Sequence, residues 1–428
     1  MRVWALKKFM SQNIRFSTSL WLAVCVSMAA AVSLGMTRFA YALLLPPMRD
    51  DLSWSYTLAG AMNTFNALGY LVGALITPWT LRRFGAVSVL IWGALAATLF
   101  MALTGFITDT SLLLLQRFLA GLASATVFVS GGLLAARLGE QLPSQSGLLL
   151  GIYYGGTGWG IVLSALVVPA SLALAHAEAL PHPWSWAWWS LAALCLMLSV
   201  MLAIIRKHLN RWMPELPSDP TRAEQNPAQA PASIKASNTW RQWSAGLLGY
   251  GLFGVGYIGY MTFVVALLRE QGATSFEITF FYAMLGLAVV LSSRLWAGLL
   301  NHYRGGQALA LLNALLSVAT IIPAITSALP MMMLSGLLFG AVFLSIVAST
   351  TAMVKHNLPP TSWASGISAF TVVFAIGQIV GPTVVGWIAD GPGGLQRGLF
   401  FSAAALLLGA LIAWQQKPLR EDRLLSAP

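Results

Sequence analysis

The chain has 428 residues, of which 57% are hydrophobic and only 9% charged, whereas an ordinary soluble domain carries roughly a quarter of its residues as charged ones. Stretches almost free of Asp, Glu, Lys and Arg recur from end to end, so lipid rather than a protein core must solvate most side chains. A net charge of +11 invites a nucleic-acid reading, but the placement of those charges argues against it.

A bilayer core about 30 Å thick takes roughly 20 apolar residues per helix, and every backbone donor and acceptor must be satisfied within the segment. Apolar runs and their polar punctuation predict helices at 19–46, 56–79, 86–107, 112–137, 148–174, 187–206, 242–268, 277–300, 307–328, 331–354, 364–389 and 398–416. Twelve spans leave both ends on one side. On that side fall 18 of the 24 Lys and Arg residues, among them Arg82, Arg83, Arg206 and Lys207, against Arg49, Arg269 and Arg397 in the opposite loops. Positive residues stay cytoplasmic, so both termini are expected there, in an inner or plasma membrane.

In chain order, residues 1–18 form a basic N-terminal segment and 19–206 a first six-helix bundle. The first apolar run is too long for a signal-peptide core and ends in Arg38, Tyr41 and Pro46 rather than a cleavage site, so it stays as a helix. Residues 207–241 contain PELPSDPTRAEQNPAQAPAS, too polar to order itself, and read as a flexible cytoplasmic linker. A second bundle fills 242–416 and a tail 417–428. The halves repeat weakly. Gly35, Arg38 and Tyr41 answer to Gly254, Tyr257 and Tyr260 at an offset of 219, and Gly69 to Gly286 at 217. Internal repeats with a midplane site between them are how many secondary transporters are built.

Two sets of six helices, cytoplasmic termini and a long central loop resemble the major facilitator superfamily over nearly the whole chain. The loop motif between helices two and three is degraded: Pro78 replaces its first Gly and Arg82 stands at the acidic position, followed by Arg83 and Gly85. The equivalent after helix eight, Gly298 to Gly305, has His302 there. Arg117, Gly121 and Ala125 in helix four match the family well, as do Gly377, Gln378, Gly381, Pro382, Gly386 and Asp390 around helix eleven. The run GMTRFAYALLLPPM is most similar to the YbfB/YjiJ-type branch. The resemblance implies an all-α fold of two pseudo-symmetric six-helix bundles, with helices one and four lining a central cavity and helices two, five, eight and eleven meeting between the halves.

Three Arg residues lie within helices: Arg38, Arg117 and Arg294. An uncompensated Arg at a helix centre costs about 3 kcal/mol on insertion scales, so it normally faces a wet cavity or a partner. Arg294 sits near the cytoplasmic end and reads as a loop anchor, whereas Arg38 and Arg117 fall in the outer half. No Asp or Glu lies near the middle of any helix, so the pair lacks an internal counter-ion and would attract a planar carboxylate. Snorkelling of Arg38 and carbonyl bonding by Arg117 are the structural alternatives. Asn63, Asn66 and Tyr70 share a face of helix two. With Tyr41, Tyr257, Tyr260 and Gln378 they complete the expected substrate site, interhelical packing being the alternative. Gly pairs at four-residue spacing, Gly69 with Gly73, Gly151 with Gly155 and Gly377 with Gly381, suit close packing and rocking of one half on the other, as do Gly121 and Pro382. Most of the Trp residues, notably Trp184, Trp186, Trp188 and Trp189, read as an interfacial belt.

No Walker, HExxH or nucleophile motif appears, and Gly254-Val-Gly256-Tyr-Ile-Gly259 lies in an apolar helix without the strand a dinucleotide fingerprint needs. Cys25 and Cys195 lack disulfide or metal spacing. The expected function is therefore secondary transport of a small organic anion by alternating access, by a monomer without cofactor, metal or nucleic-acid partner. Protons are a candidate coupling ion. Proton-coupled efflux of a drug or metabolite is the second reading, and a sensor or scaffold without transport the third.

Overall fold

The computed structural model describes residues 17–142, 145–212, 242–359 and 362–419. The predicted N-terminal segment before 17, the linker from 213 and the tail from 420 lie outside the described residues. Twelve helices are long and apolar enough to cross a membrane: α1 (Ser17–Leu52), α2 (Tyr56–Phe84), α3 (Ala86–Thr104), α4 (Thr110–Gln141), α5 (Ser146–Ala177) and α6 (Pro183–Ile204) in the first half. The second half holds α7 (Ser244–Glu270), α8 (Ser275–His302), α9 (Gln307–Ile325), α10 (Leu329–Asn357), α11 (Trp363–Ala389) and α12 (Gly394–Trp414). No strand occurs among the described residues.

Several helices outrun their apolar cores by a turn, because hydropathy registers the hydrocarbon-embedded stretch and not the turns that continue into the headgroup region. α1 differs most. It continues through Pro46 and Pro47 to Leu52, and Ala31–Phe39 is wound as a nine-residue π-helix, fully buried. Membrane helices tolerate such breaks where neighbours satisfy the freed backbone. Here the Thr37 carbonyl accepts from Arg117 Nη1 at 3.2 Å and the Phe39 carbonyl from the Tyr282 hydroxyl at 2.7 Å. The predicted linker also starts later than 207, since Arg206–Trp212 is a short helix.

Packing follows the repeat. In the first half α2 lies on α4, α1 on α5 and α3 on α6; in the second α8 lies on α10, α7 on α11 and α9 on α12. Gly35 and Gly254 show why their match exists. A Cβ on Gly35 would meet the backbone of Gly160 in α5, and one on Gly254 would meet Phe374 and Gly377 in α11. Both glycines bring the first helix of a half onto the fifth. The halves meet where α2 packs on α11 and α5 on α8. The Gly pairs fall differently from the expectation that they line this seam: Gly69 and Gly73 abut α4, Gly121 abuts α2, and Gly377 and Gly381 abut α7, all inside one half. Glycines at the seam are Gly60 against the Pro382 carbonyl, Gly386 against Tyr56, and Gly155 and Gly158 against α8.

Candidate functional site

Because the spans alternate, Ser17 and Trp414 lie at one end of the bundle, here the terminal face, and Tyr56 and Asp390 at the other, the distal face. The π-helical stretch of α1 delivers Arg38 to the seam between the halves. Its side chain is 3% exposed. Nη2 donates to Gln378 Oε1 of α11, and the same oxygen accepts the Tyr257 hydroxyl of α7 at 2.7 Å. The guanidinium carbon stands 5.4 Å from the Tyr70 ring centroid, within cation–π range. Arg38 Nε is buried with no hydrogen-bond partner among the described residues. Aromatic rings back this corner: Tyr257 stacks with Phe253 at 4.8 Å and with Phe374 at 5.6 Å.

Arg117 is buried one layer away, inside the first half. Its Nη1 holds the Thr37 carbonyl, its Nη2 reaches Asn63 Oδ1 at 3.4 Å, and Nε has no partner among the described residues. The Tyr41 and Trp188 rings flank it at 4.9 and 5.6 Å. Tyr41 is fixed by its hydroxyl, which donates to the Ala59 carbonyl at 2.9 Å. Asn66 Nδ2 donates to the Arg117 carbonyl at 3.1 Å, tying α2 to α4. Asn63 Nδ2 crosses the seam to Thr262 Oγ1 at 2.7 Å. Neither guanidinium has a carboxylate within ion-pair distance among the described residues, where the ion pairs are Arg49 with Asp50 and His182 with Asp51.

Toward the distal face the seam is closed by hydrogen bonds. Thr64 Oγ1 donates to the Ile379 carbonyl at 2.6 Å. Asp390, just past α11, accepts from the N–H of Tyr56 at 2.7 Å, the N–H of Thr57 at 2.8 Å and the Thr57 hydroxyl at 2.6 Å. A carboxylate thus caps the first turn of a helix in the other half, where the free N–H groups and the helix dipole favour negative charge. Partial burial would raise the Asp390 pKa, but the bonds from Thr57 and Tyr56 outweigh it and hold the carboxyl below its ordinary 3.8. The Tyr56 hydroxyl bonds Glu270 of α7, and the Arg49 guanidinium lies 4.0 Å over the Tyr56 ring.

Of the residues expected to bind substrate, Arg38, Tyr70, Tyr257 and Gln378 converge at the seam, with Asn63 bridging to Arg117. Tyr260 lies apart from them: its ring stacks on Phe339 at 4.0 Å and its hydroxyl pairs with Ser335 at 2.7 Å, inside the second half. Arg82, Arg83 and Arg294 are exposed, and Gly151 is half-buried on α5. Trp184 and Trp188 are fully buried, unlike the expected interfacial belt. Thr37, Thr262, Tyr282 and Glu270 were not singled out in the sequence. Only Glu270, an acid at a helix end, carried a signal there.

Two like six-helix halves with polar side chains meeting on their seam define a membrane transporter. The chain belongs to the major facilitator superfamily, for the family described as "Uncharacterised MFS-type transporter YbfB" matches residues 30–414. A relative from Agrobacterium vitis named "Putative tartrate transporter" is 26% identical over 163 residues, which are 34% of this chain and 33% of that one. The chain thus spans about a third of the length of the curated relatives it matches. A solved bacterial homologue of the human drug peptide transporters PepT1 and PepT2 superimposes with a TM-score of 0.69 at 17% identity, covering 96% of this chain and 99% of that one. The nucleoside transporter NupG gives 0.65 at 14% identity over 95% and 100%. A bacterial homologue of the lysosomal transporter Spinster, inward-facing and occupied, gives 0.66 at 15% over 92% and 96%. At these identities the likeness is one of fold.

Proposed function

We propose that the protein is a secondary carrier for a small organic anion, a carboxylate, which it moves by alternating access. The observation that carries this reading is Arg38: a guanidinium 3% exposed, at the seam of the two halves, hydrogen-bonded among the described residues only to a neutral amide. A buried cation without a counter-ion is costly, and its electrostatic energy falls when an anion joins it. A carboxylate matches the guanidinium fork. Arg117 adds a second positive charge beside it, since its Nη1 holds the carbonyl of Thr37, the residue before Arg38. Tartrate, named for the relatives, is a dicarboxylate.

The packing supports alternating access. The cross-half hydrogen bonds from Asn63, Thr64, Thr57 and Tyr56 lie from the middle of the seam to its distal end, so this conformation is closed distally. With the Lys- and Arg-rich terminal face in the cytoplasm of an inner or plasma membrane, it is a state of the carrier closed toward the outside.

Counterflow in proteoliposomes tests the reading. Radiolabelled tartrate, succinate, citrate and benzoate are offered beside a nucleoside and an amine, to the unmodified protein and to Arg38→Ala. Accumulation of carboxylates alone, lost in Arg38→Ala, is expected. Equal accumulation of the neutral or cationic probes, or unimpaired carboxylate counterflow by Arg38→Ala, would refute it.

A further inference from the structure

We infer that the Nε–Nη2 edge of Arg38 is the carboxylate subsite, and that Gln378 is a resident stand-in whose amide oxygen the substrate displaces. This rests on the anion reading above and deepens it.

A guanidinium has no acceptor, so the Gln378 atom that faces it is the amide oxygen. Tyr257 donates to that same oxygen at 2.7 Å. Two donors, one from each half, therefore aim at a single point on the seam that wants negative charge. The amide fills the point incompletely. One oxygen engages Nη2, while Nε, the other donor of the same edge, stays buried without a partner among the described residues. A carboxylate has two oxygens at the spacing of the fork, so it satisfies both donors at once and leaves Tyr257 on one of them. The exchange also relieves a buried orphan donor, a group that proteins rarely leave unmet.

The position of Gln378 gives the exchange a mechanical result. Arg38 is on α1 and Gln378 on α11, so their bond ties one half to the other. Substrate that takes the amide's place moves the tie from protein to ligand. The middle of the seam is then held by the solute itself, and binding becomes linked to the relative position of the halves. Arg117 does not offer the same exchange, because its neighbours belong to its own half and two rings cover it.

The test is a pair of substitutions with opposite expected signs, read as equilibrium binding of radiolabelled tartrate, or of whichever carboxylate the counterflow panel selects, to purified protein. Gln378→Glu installs a permanent carboxylate on Arg38, and affinity should fall tenfold or more. Gln378→Ala removes the competitor, and affinity should stay within threefold of the unmodified protein or rise. A loss beyond threefold in Gln378→Ala, as for an ordinary ligand contact, overturns the inference; so does a loss under tenfold in Gln378→Glu. If the unmodified protein binds no carboxylate, the anion reading falls and takes this inference with it. If it binds one and Gln378→Glu is indifferent, only the stand-in is lost.

Discussion

Arg38 and Arg117 are equally buried, at 3% and 2% exposed, and they sit on successive residues of the same π-helical stretch, one by its own backbone and one through the Thr37 carbonyl. What holds them differs. Arg117 is gripped by its own half: a carbonyl of α1, the Asn63 amide, and the Tyr41 and Trp188 rings. Arg38 is held across the seam by Gln378. Under the proposed alternating access, a cation held within one bundle keeps its contacts while the halves rock, so it would serve as a fixed source of field. One held across the seam would have to change partners, and that is why the proposal gives the solute to Arg38.

Arg38→Ala gives the largest expected effect on this comparison. Loss of a bidentate charged pair weakens carboxylate affinity about 100-fold, or roughly 2.7 kcal/mol, with little change in thermal stability, since Gln378 keeps Tyr257 as a partner. Arg117→Ala should invert the balance. Orphaning the Thr37 carbonyl costs about 1–3 kcal/mol, so the melting temperature drops clearly while affinity falls only about tenfold through the lost field. Equal phenotypes in binding and melting assays would erase the distinction.

Two glycines sharpen the same contrast between seam and bundle. A Cβ at Gly60 would collide with the Pro382 carbonyl across the seam, and one at Gly69 with the Phe118 carbonyl inside the first half. Gly60→Val is expected to open the distal face, making a cysteine placed at Thr64 react several-fold faster with an impermeant maleimide, without loss of folding. Gly69→Val should instead lower the yield of folded protein.

The smallest effect belongs to Asp390. Its carboxyl is held below 3.8 by the bonds that Tyr56 and Thr57 donate. A lowered pKa means that the distal closure is fully supported above that value and weakens as pH falls through the lowered one. Labelling at Thr64, divided at each pH by the rate of a free thiol because only the thiolate reacts, should therefore be flat between about pH 6 and 8 and rise only under acid below the ordinary carboxylate range. Asp390→Asn should reproduce the acid result at neutral pH, by no more than a few-fold.

The fold was legible because lipid imposes a simple length rule on apolar runs, and all twelve spans obey it. Hydropathy could not show that α1 passes through two prolines, nor that its π-turn aims Arg38 and Gly35 in different directions. The Gly35–Gly254 match marked a shared packing role, but Gly69 and Gly286 did not: the first packs on α4, the second on Gly158 across the seam. Spacing finds a small face and leaves its neighbour open. Arg38 was reached from the cost of burying charge, Tyr70 from the helix face it shares with Asn63 and Asn66, Tyr257 from the repeat and Gln378 from the family motif. Thr262 and Tyr282 escaped because hydroxyls are ordinary in membrane helices and gain meaning only from what lies opposite.

The most direct test removes the negative charge from the ligand rather than the positive charge from the protein. The best carboxylate of the counterflow panel and its methyl ester are each titrated against the unmodified protein and Arg38→Gln. With charge recognition at Arg38, the ester binds the unmodified protein about 100-fold more weakly than the acid, and the two bind Arg38→Gln alike. Equal affinity of acid and ester for the unmodified protein, or an undiminished preference for the acid in Arg38→Gln, would contradict it.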